Sequence, residues 1–248
     1  MSEPFEKAER SCFNLTHYCK LIPESHAVFV MPTGCTRILR LSSIEEGISD
    51  RFTMFHLEQG DLIGGDTEQI LIESTEQTIE RLTGEGRRPR ILCLFVSCVD
   101  SFIGTDHDYV LGELRREFPD IIFFDLAVDP INRATMPPLV RVHNAVTGLF
   151  RKTESVRAVN WLGYFLPPAE DHPLACALKE KGIASRHLLN CRTLEELNTF
   201  GGSLANLVVT PVALPAARSL QARLGTPYYN LCNPDDPQSL SREALLNL

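Results

Sequence analysis

No stretch of the 248-residue chain approaches the ~18 consecutive apolar residues that a membrane-crossing helix needs, so no membrane role is expected. The opening Met1-Ser2-Glu3-Pro4-Phe5-Glu6-Lys7 lacks a basic stretch followed by an apolar core, which argues against a secretory signal and for a cytoplasmic protein. Positive charge is short: 24 Lys and Arg stand against 32 Asp and Glu, a net −8 at pH 7. Nucleic-acid affinity rests largely on neutralising phosphates, so a nucleic-acid partner is not expected. Low-complexity segments are missing too, because the 16 Pro and 15 Gly are spread along the chain. No CxxC pair occurs, which removes the usual zinc-ribbon and thioredoxin patterns. Nor does a GxxxxGK[ST] loop, so nucleotide hydrolysis would belong to a partner.

What remains is a globular composition, 44% apolar and 23% charged, with eight cysteines. Those cysteines stand at 12, 19, 35, 93, 98, 176, 191 and 232. Ala27 to Met31 reads as a strand, stopped by Pro32-Thr33-Gly34, and Glu68 to Leu82 as an amphipathic helix. Ile91 to Ser97 and Ile121 to Leu126 are apolar on both faces, as buried parallel strands are, with a helix around Tyr109 to Phe118 between them. The rhythm restarts after Lys152-Thr153-Glu154. Strands are expected at Arg157–Gly163, Ser185–Leu189, Asn206–Thr210 and Tyr228–Leu231, and helices at Pro173–Lys181, Leu194–Phe200 and Pro215–Leu224. The fold class is therefore α/β, with two Rossmann-like doubly wound parallel-sheet domains over residues 1–153 and 154–248. Ser239 to Leu248 reads as the start of a helix without a C-terminal cap, so a continuation beyond residue 248 is expected.

Open parallel sheets bind ligands beyond the carboxyl ends of their strands. Cys35 follows the strand ending at Met31 and Cys98 follows the one ending at Ser97, which puts both thiols on loops at one edge of one sheet. Cys12 lies before the first strand and could fold across that edge. Three convergent thiolates suit an iron–sulfur cluster. The plain alternative is that free cysteines are small buried residues, and for Cys93, Cys176, Cys191 and Cys232 it is preferred. Asp106-His107-Asp108 reads as a solvated helix start rather than an acid–base cluster, His143 as a structural histidine, and Gly64-Gly65 as a place of close packing.

Several segments carry a family resemblance. Pro32-Thr33-Gly34-Cys35 resembles the Gly-Pro-x-Gly-Cys turn of the nitrogenase component 1 family, which includes the molybdenum–iron protein subunits, their cofactor-assembly relatives and the dark-operative protochlorophyllide reductase subunits. Glu58 to Gly65 resembles the family's Glu/Asp-x-Val-Phe-Gly-Gly segment, and Val96 to Asp106 its Thr-Thr-Cys-Pro-x-x-Leu-Ile-Gly-Asp-Asp loop. Val140-Arg141-Val142-His143 with Gly148, Asn206 to Val209, and Leu224 to Tyr228 resemble three further motifs, in family order. The resemblance implies an oxidoreductase subunit that transfers electrons through a cysteine-ligated, metal-binding iron–sulfur cluster, [4Fe-4S], at a subunit interface. It implies Cys12, Cys35 and Cys98 as ligands, with Cys19 the alternate for Cys12, while catalytic residues stay unassigned. It implies a homo- or heterodimer with a related subunit, and a partner similar to nitrogenase iron protein, an ATP-dependent reductase. Thr210 stands where the dinitrogen-reducing subunit has its cofactor-binding cysteine. No iron–molybdenum cofactor is therefore expected, and dinitrogen reduction is not the expected reaction. The family has three Rossmann-like domains and the sequence covers two. Two other functions remain open: a non-catalytic scaffold for a cluster or tetrapyrrole, and a degenerate, metal-free α/β binding module.

Overall fold

A computed structural model describes residues 19–127 and 138–233. The contacts divide the chain into two units, one built on Ser25–Asn132 and the other on Arg133–Leu248 with Leu21–Glu24. The first unit runs β1 (Ser25–Pro32), α1 (Thr33–Glu45), β2 (Phe52–Leu57), α2 (Gln59–Gly64), α3 (Thr67–Gly84), β3 (Ile91–Val96), α4 (Cys98–Ile103), α5 (His107–Glu117) and β4 (Ile122–Ala127). The second runs α6 (Pro138–Gly148), β5 (Val156–Leu162), α7 (Pro173–Glu180), β6 (Ala184–His187), α8 (Leu194–Asn198), β7 (Ser203–Val208), α9 (Leu214–Leu224) and β8 (Tyr228–Asn230).

All pairings are parallel, in the orders β2-β1-β3-β4 and β6-β5-β7-β8. Each is the flavodoxin-like arrangement, whose strand order reverses beside the first strand and opens a crevice at the carboxyl ends there. The two Rossmann-like α/β domains expected from the strand–helix rhythm are thus the observed fold. Helix α6, which the rhythm did not reveal, belongs to the second unit and packs on α9.

Period-two alternation sorts the first core. Val28, Val30, Leu92 and Leu94 face Leu71 and Ile79 of α3 and Val110 and Leu114 of α5. On the other face Phe29 stacks on Phe95 at 4.3 Å and on Phe52 at 5.4 Å. Cys93 is fully buried there as a core residue, and burial pushes its thiol up to about 12. In the second unit Val159, Trp161, Ala205 and Leu207 pack against Leu178 and Ile183.

The reverse face of the second sheet holds a buried polar knot. Asn160 donates to the Phe200 carbonyl at 2.9 Å and to Asn206 Oδ1 at 2.8 Å, and accepts from the Ser203 hydroxyl at 2.8 Å. Two of the three bonds on this fully buried amide join β5 to β7, and the third ties β5 to the turn before β7. Asn160→Leu fills the same volume but leaves those partners unmatched, at an expected cost of about 3 kcal/mol. Urea unfolding should show this as a lower midpoint at unchanged slope, and an unchanged midpoint would mean the knot contributes nothing.

Candidate functional site

The carboxyl edge of the first sheet is where β1 and β3 hand the chain to Cys35 and Cys98. Neither thiol lies on a loop. Cys35 is in the first turn of α1 and Cys98 is the first residue of α4. Pro32, which read as a strand stop, sits at the N-cap of α1; proline at a helix entrance loses no intrahelical hydrogen bond. Ser97 caps α4: its hydroxyl accepts from Val99 N–H at 3.2 Å, while Asp100 accepts from Ser97 N–H at 2.6 Å and from its hydroxyl at 2.7 Å. This reciprocal box recurs at α2, where Asp61 accepts from Glu58 N–H at 2.8 Å. Gly65 ends α2 with φ +76°, so its part in the Gly64-Gly65 pair is helix termination rather than close packing. Asp106 caps α5 by accepting from Tyr109 N–H at 2.9 Å, the helix start that Asp106-His107-Asp108 suggested.

Cys19, the alternate ligand, does not join Cys35 and Cys98. Cys12 lies outside the described residues. Cys19 is buried against Cys93 at the opposite, amino end of the sheet, where Arg51 donates to its carbonyl at 2.7 Å and to the Ser25 hydroxyl at 2.7 Å. Burial and the neighbouring Cys93 push the Cys19 thiol well up. Among the described residues no group of three or more His, Cys, Asp or Glu side chains is placed to hold a metal ion. The expected cysteine-ligated [4Fe-4S] cluster, with the metal-binding and electron-transfer roles it carried, is therefore corrected. The donors at this edge are an exposed Cys35, a half-buried Cys98 and the buried Oδ1 of Asp100, a hard oxygen poorly matched to iron–sulfur chemistry.

Large apolar side chains occupy the edge instead. Ile63 of α2 is 86% exposed and Phe102 of α4 is 74%, and Ile103 and Tyr109 stand exposed beside them in sequence. Helix α1 adds Ile38 and Leu41, whereas among the described residues of the second unit only Val156 and Leu166 are comparable.

At the corresponding edge of the second sheet, between β5 and β7, the loops lock onto each other. The Thr210 hydroxyl donates to the Gly163 carbonyl at 2.9 Å. Gly163 has φ +112°, and a Cβ there would lie 2.5 Å from Thr210 Oγ1, so only glycine fits. Gly163 N–H donates to Nε2 of His143, whose Nδ1–H donates to the Leu139 carbonyl at 2.8 Å. His187 accepts from Leu189 N–H at Nδ1 and donates from Nε2 to the Tyr164 carbonyl. Both imidazoles are neutral by this bonding, and none of these bonds was legible in sequence. Burial pushes His143 down to about 4, with His187 adding to the shift, and burial also lowers His187. Burial holds Cys191 at about 12 and Cys232 at about 11, so both stay inert thiols.

A family model described as nitrogenase component 1 type oxidoreductase matches residues 19–242. The chain belongs to that family. Among solved structures, nitrogenase Cp1 at pH 6.5 is similar at 12% identity with a TM-score of 0.64, over 87% of this chain and 52% of that one. Nitrogenase Cp1 at pH 5 is similar at 15% identity with a TM-score of 0.65, over 86% of this chain and 46% of that one. At such identities the likeness is one of fold, and the chain spans about half the length of those structures. No curated protein matches. The fold of this oxidoreductase family thus comes without a described ligand set for its cluster, and among the described residues no helix is long and apolar enough to cross a membrane.

The histidine lock has a pH signature. Unfolded histidine titrates near 6.5, whereas folded His143 stays neutral down to about 4. Between those values the unfolded chain binds the extra proton, so the contribution is whole above pH 6.5 and lost as pH falls toward 4. Denaturant titrations should show about 3 kcal/mol draining across that window from His143 alone, with a shallower slope in His143→Gln. Equal slopes in the two proteins would contradict the lock.

Proposed function

We propose that the chain is a metal-free binding module of the nitrogenase component 1 type family, which keeps the family fold and pairs with a second copy of itself through the carboxyl edge of its first sheet. The observation that carries the reading is the exchange at that edge. The described thiols gather no third donor, while Ile63, Phe102 and Ile103 stand exposed where the helices leave the strands. A monomer gains nothing from keeping such side chains in water, and burial returns about 25 cal/mol for each Å² covered. Two-fold pairing of like chains is the commonest closed assembly. A chain of net charge −8 meets its own copy at least electrostatic cost through uncharged side chains. The ATP-dependent reductase that the resemblance implied belongs with the cluster and forms no part of this function.

Sedimentation velocity on the purified chain should show a reversible dimer. Ile63→Asp combined with Phe102→Asp should give monomers with unchanged circular dichroism, since both side chains are exposed. Cys35→Ser with Cys98→Ser should leave stability within about 1 kcal/mol of the parent and the dimer intact. A wild type that stays monomeric at every concentration, or a dimer indifferent to the Asp pair, would overturn the reading.

A further inference from the structure

A second surface of the first unit carries a different chemistry. β2 is the edge strand of its sheet, and between it and α1 lies a cavity of about 520 Å³, within the range of small-molecule sites. Its lining includes Arg37, Arg40 and His56 and no Asp or Glu, in a chain with 32 acidic residues. Arg37 and Arg40 are three apart on one helix, hence on one face. Neither has an ion pair or hydrogen bond among the described residues, whereas Arg81, Arg87 and Arg88 of the same unit are all paired to carboxylates. Two nearby acids are already engaged, Glu46 by Lys20 and Asp50 by Arg87 at 3.2 Å.

The hydrogen bonds also fix His56. The buried Thr36 hydroxyl donates to the Thr33 carbonyl at 3.0 Å, so it accepts from His56 Nδ1 at 3.0 Å. Nδ1 therefore carries the ring proton, and Nε2 has no partner among the described residues. This is the reverse of His143, whose Nε2 lone pair is already taken. The groove thus offers two guanidinium forks without a partner among the described residues, beside the His56 imidazole. Phe52 and Met54 of β2 and Ile44 of α1 add apolar lining.

From this juxtaposition we infer that the groove between α1 and β2 binds a small phosphomonoester with an apolar body. Two guanidinium forks can each pair with a different edge of the three terminal oxygens of a phosphomonoester, which the two oxygens of a carboxylate match less fully. The apolar body lies on Phe52 and Met54, so inorganic phosphate alone leaves half the site unused. This inference does not rest on the pairing function, which uses the carboxyl edge rather than this groove.

The test is a titration of the full chain at low ionic strength with phenyl phosphate, inorganic phosphate and benzoate, followed by amide chemical shifts and calorimetry. Phenyl phosphate should bind with shifts centred on residues 33–56, about tenfold more tightly than either other probe. Arg37→Gln with Arg40→Gln should weaken it at least tenfold with an unchanged melting temperature, because neither side chain is bonded among the described residues. Arg116→Gln, remote on α5, should leave binding as it was. Saturation without shifts in 33–56, binding that survives the double Arg change, equal affinity for benzoate or inorganic phosphate, or no binding at all would each overturn the inference.

Discussion

A parallel sheet whose first strand lies inside it opens a crevice where the strand order reverses, and the family fold depends on what fills that opening. The chain has two such crevices and fills them in opposite ways. Between β5 and β7 the Thr210 hydroxyl, the Gly163 carbonyl and the His143 ring close the gap with hydrogen bonds, under a glycine whose missing Cβ lets the loops meet. Between β1 and β3 the gap is bordered by two helix starts, one entered through Pro32 and the other capped by Ser97, that bring a thiol each, and apolar side chains nearby face water. The first arrangement spends its polar groups on the fold. The second leaves surface for a partner.

The contrast explains how the fold can persist where cluster ligation does not. Nothing in the sheet needs a metal to hold it: β1 and β3 are buried on both faces, and Phe29 and Phe95 stack directly beneath the edge that carries Cys35 and Cys98. A ligand set is a many-body condition, since each donor must converge on one point, whereas a parallel core is built from pairwise burial. Losing the former costs the latter little. Thr210 illustrates the same economy, because its hydroxyl ties the ends of β5 and β7 together.

Much of the architecture was legible because buried parallel strands announce themselves. Ile91 to Val96 are apolar in succession, as are Ile121 to Phe124, and the stretches predicted for α3, α7 and α9 match the observed helices within a few residues. β2 escaped because Phe52-Thr53-Met54-Phe55-His56-Leu57 shows neither clean alternation nor a solid apolar run. Helix α1 escaped because Pro-Thr-Gly reads as punctuation, although proline at a helix entrance is harmless. That Cys35 and Cys98 follow two strands at one edge of one sheet could be read from spacing. Their lack of a described third partner could not, since convergence depends on side-chain directions that spacing does not encode. His56 carried no sequence signal either; its place opposite Arg37 and Arg40 arises only when β2 pairs with β1.

The central claim is that this family fold has been kept without its cysteine-ligated centre. The most direct measurement is iron and acid-labile sulfide per chain, with the visible spectrum, on protein purified and reconstituted without oxygen. The account predicts only trace iron, the same in the parent and in Cys35→Ser with Cys98→Ser. A stoichiometric cluster that disappears when either cysteine is replaced would contradict it.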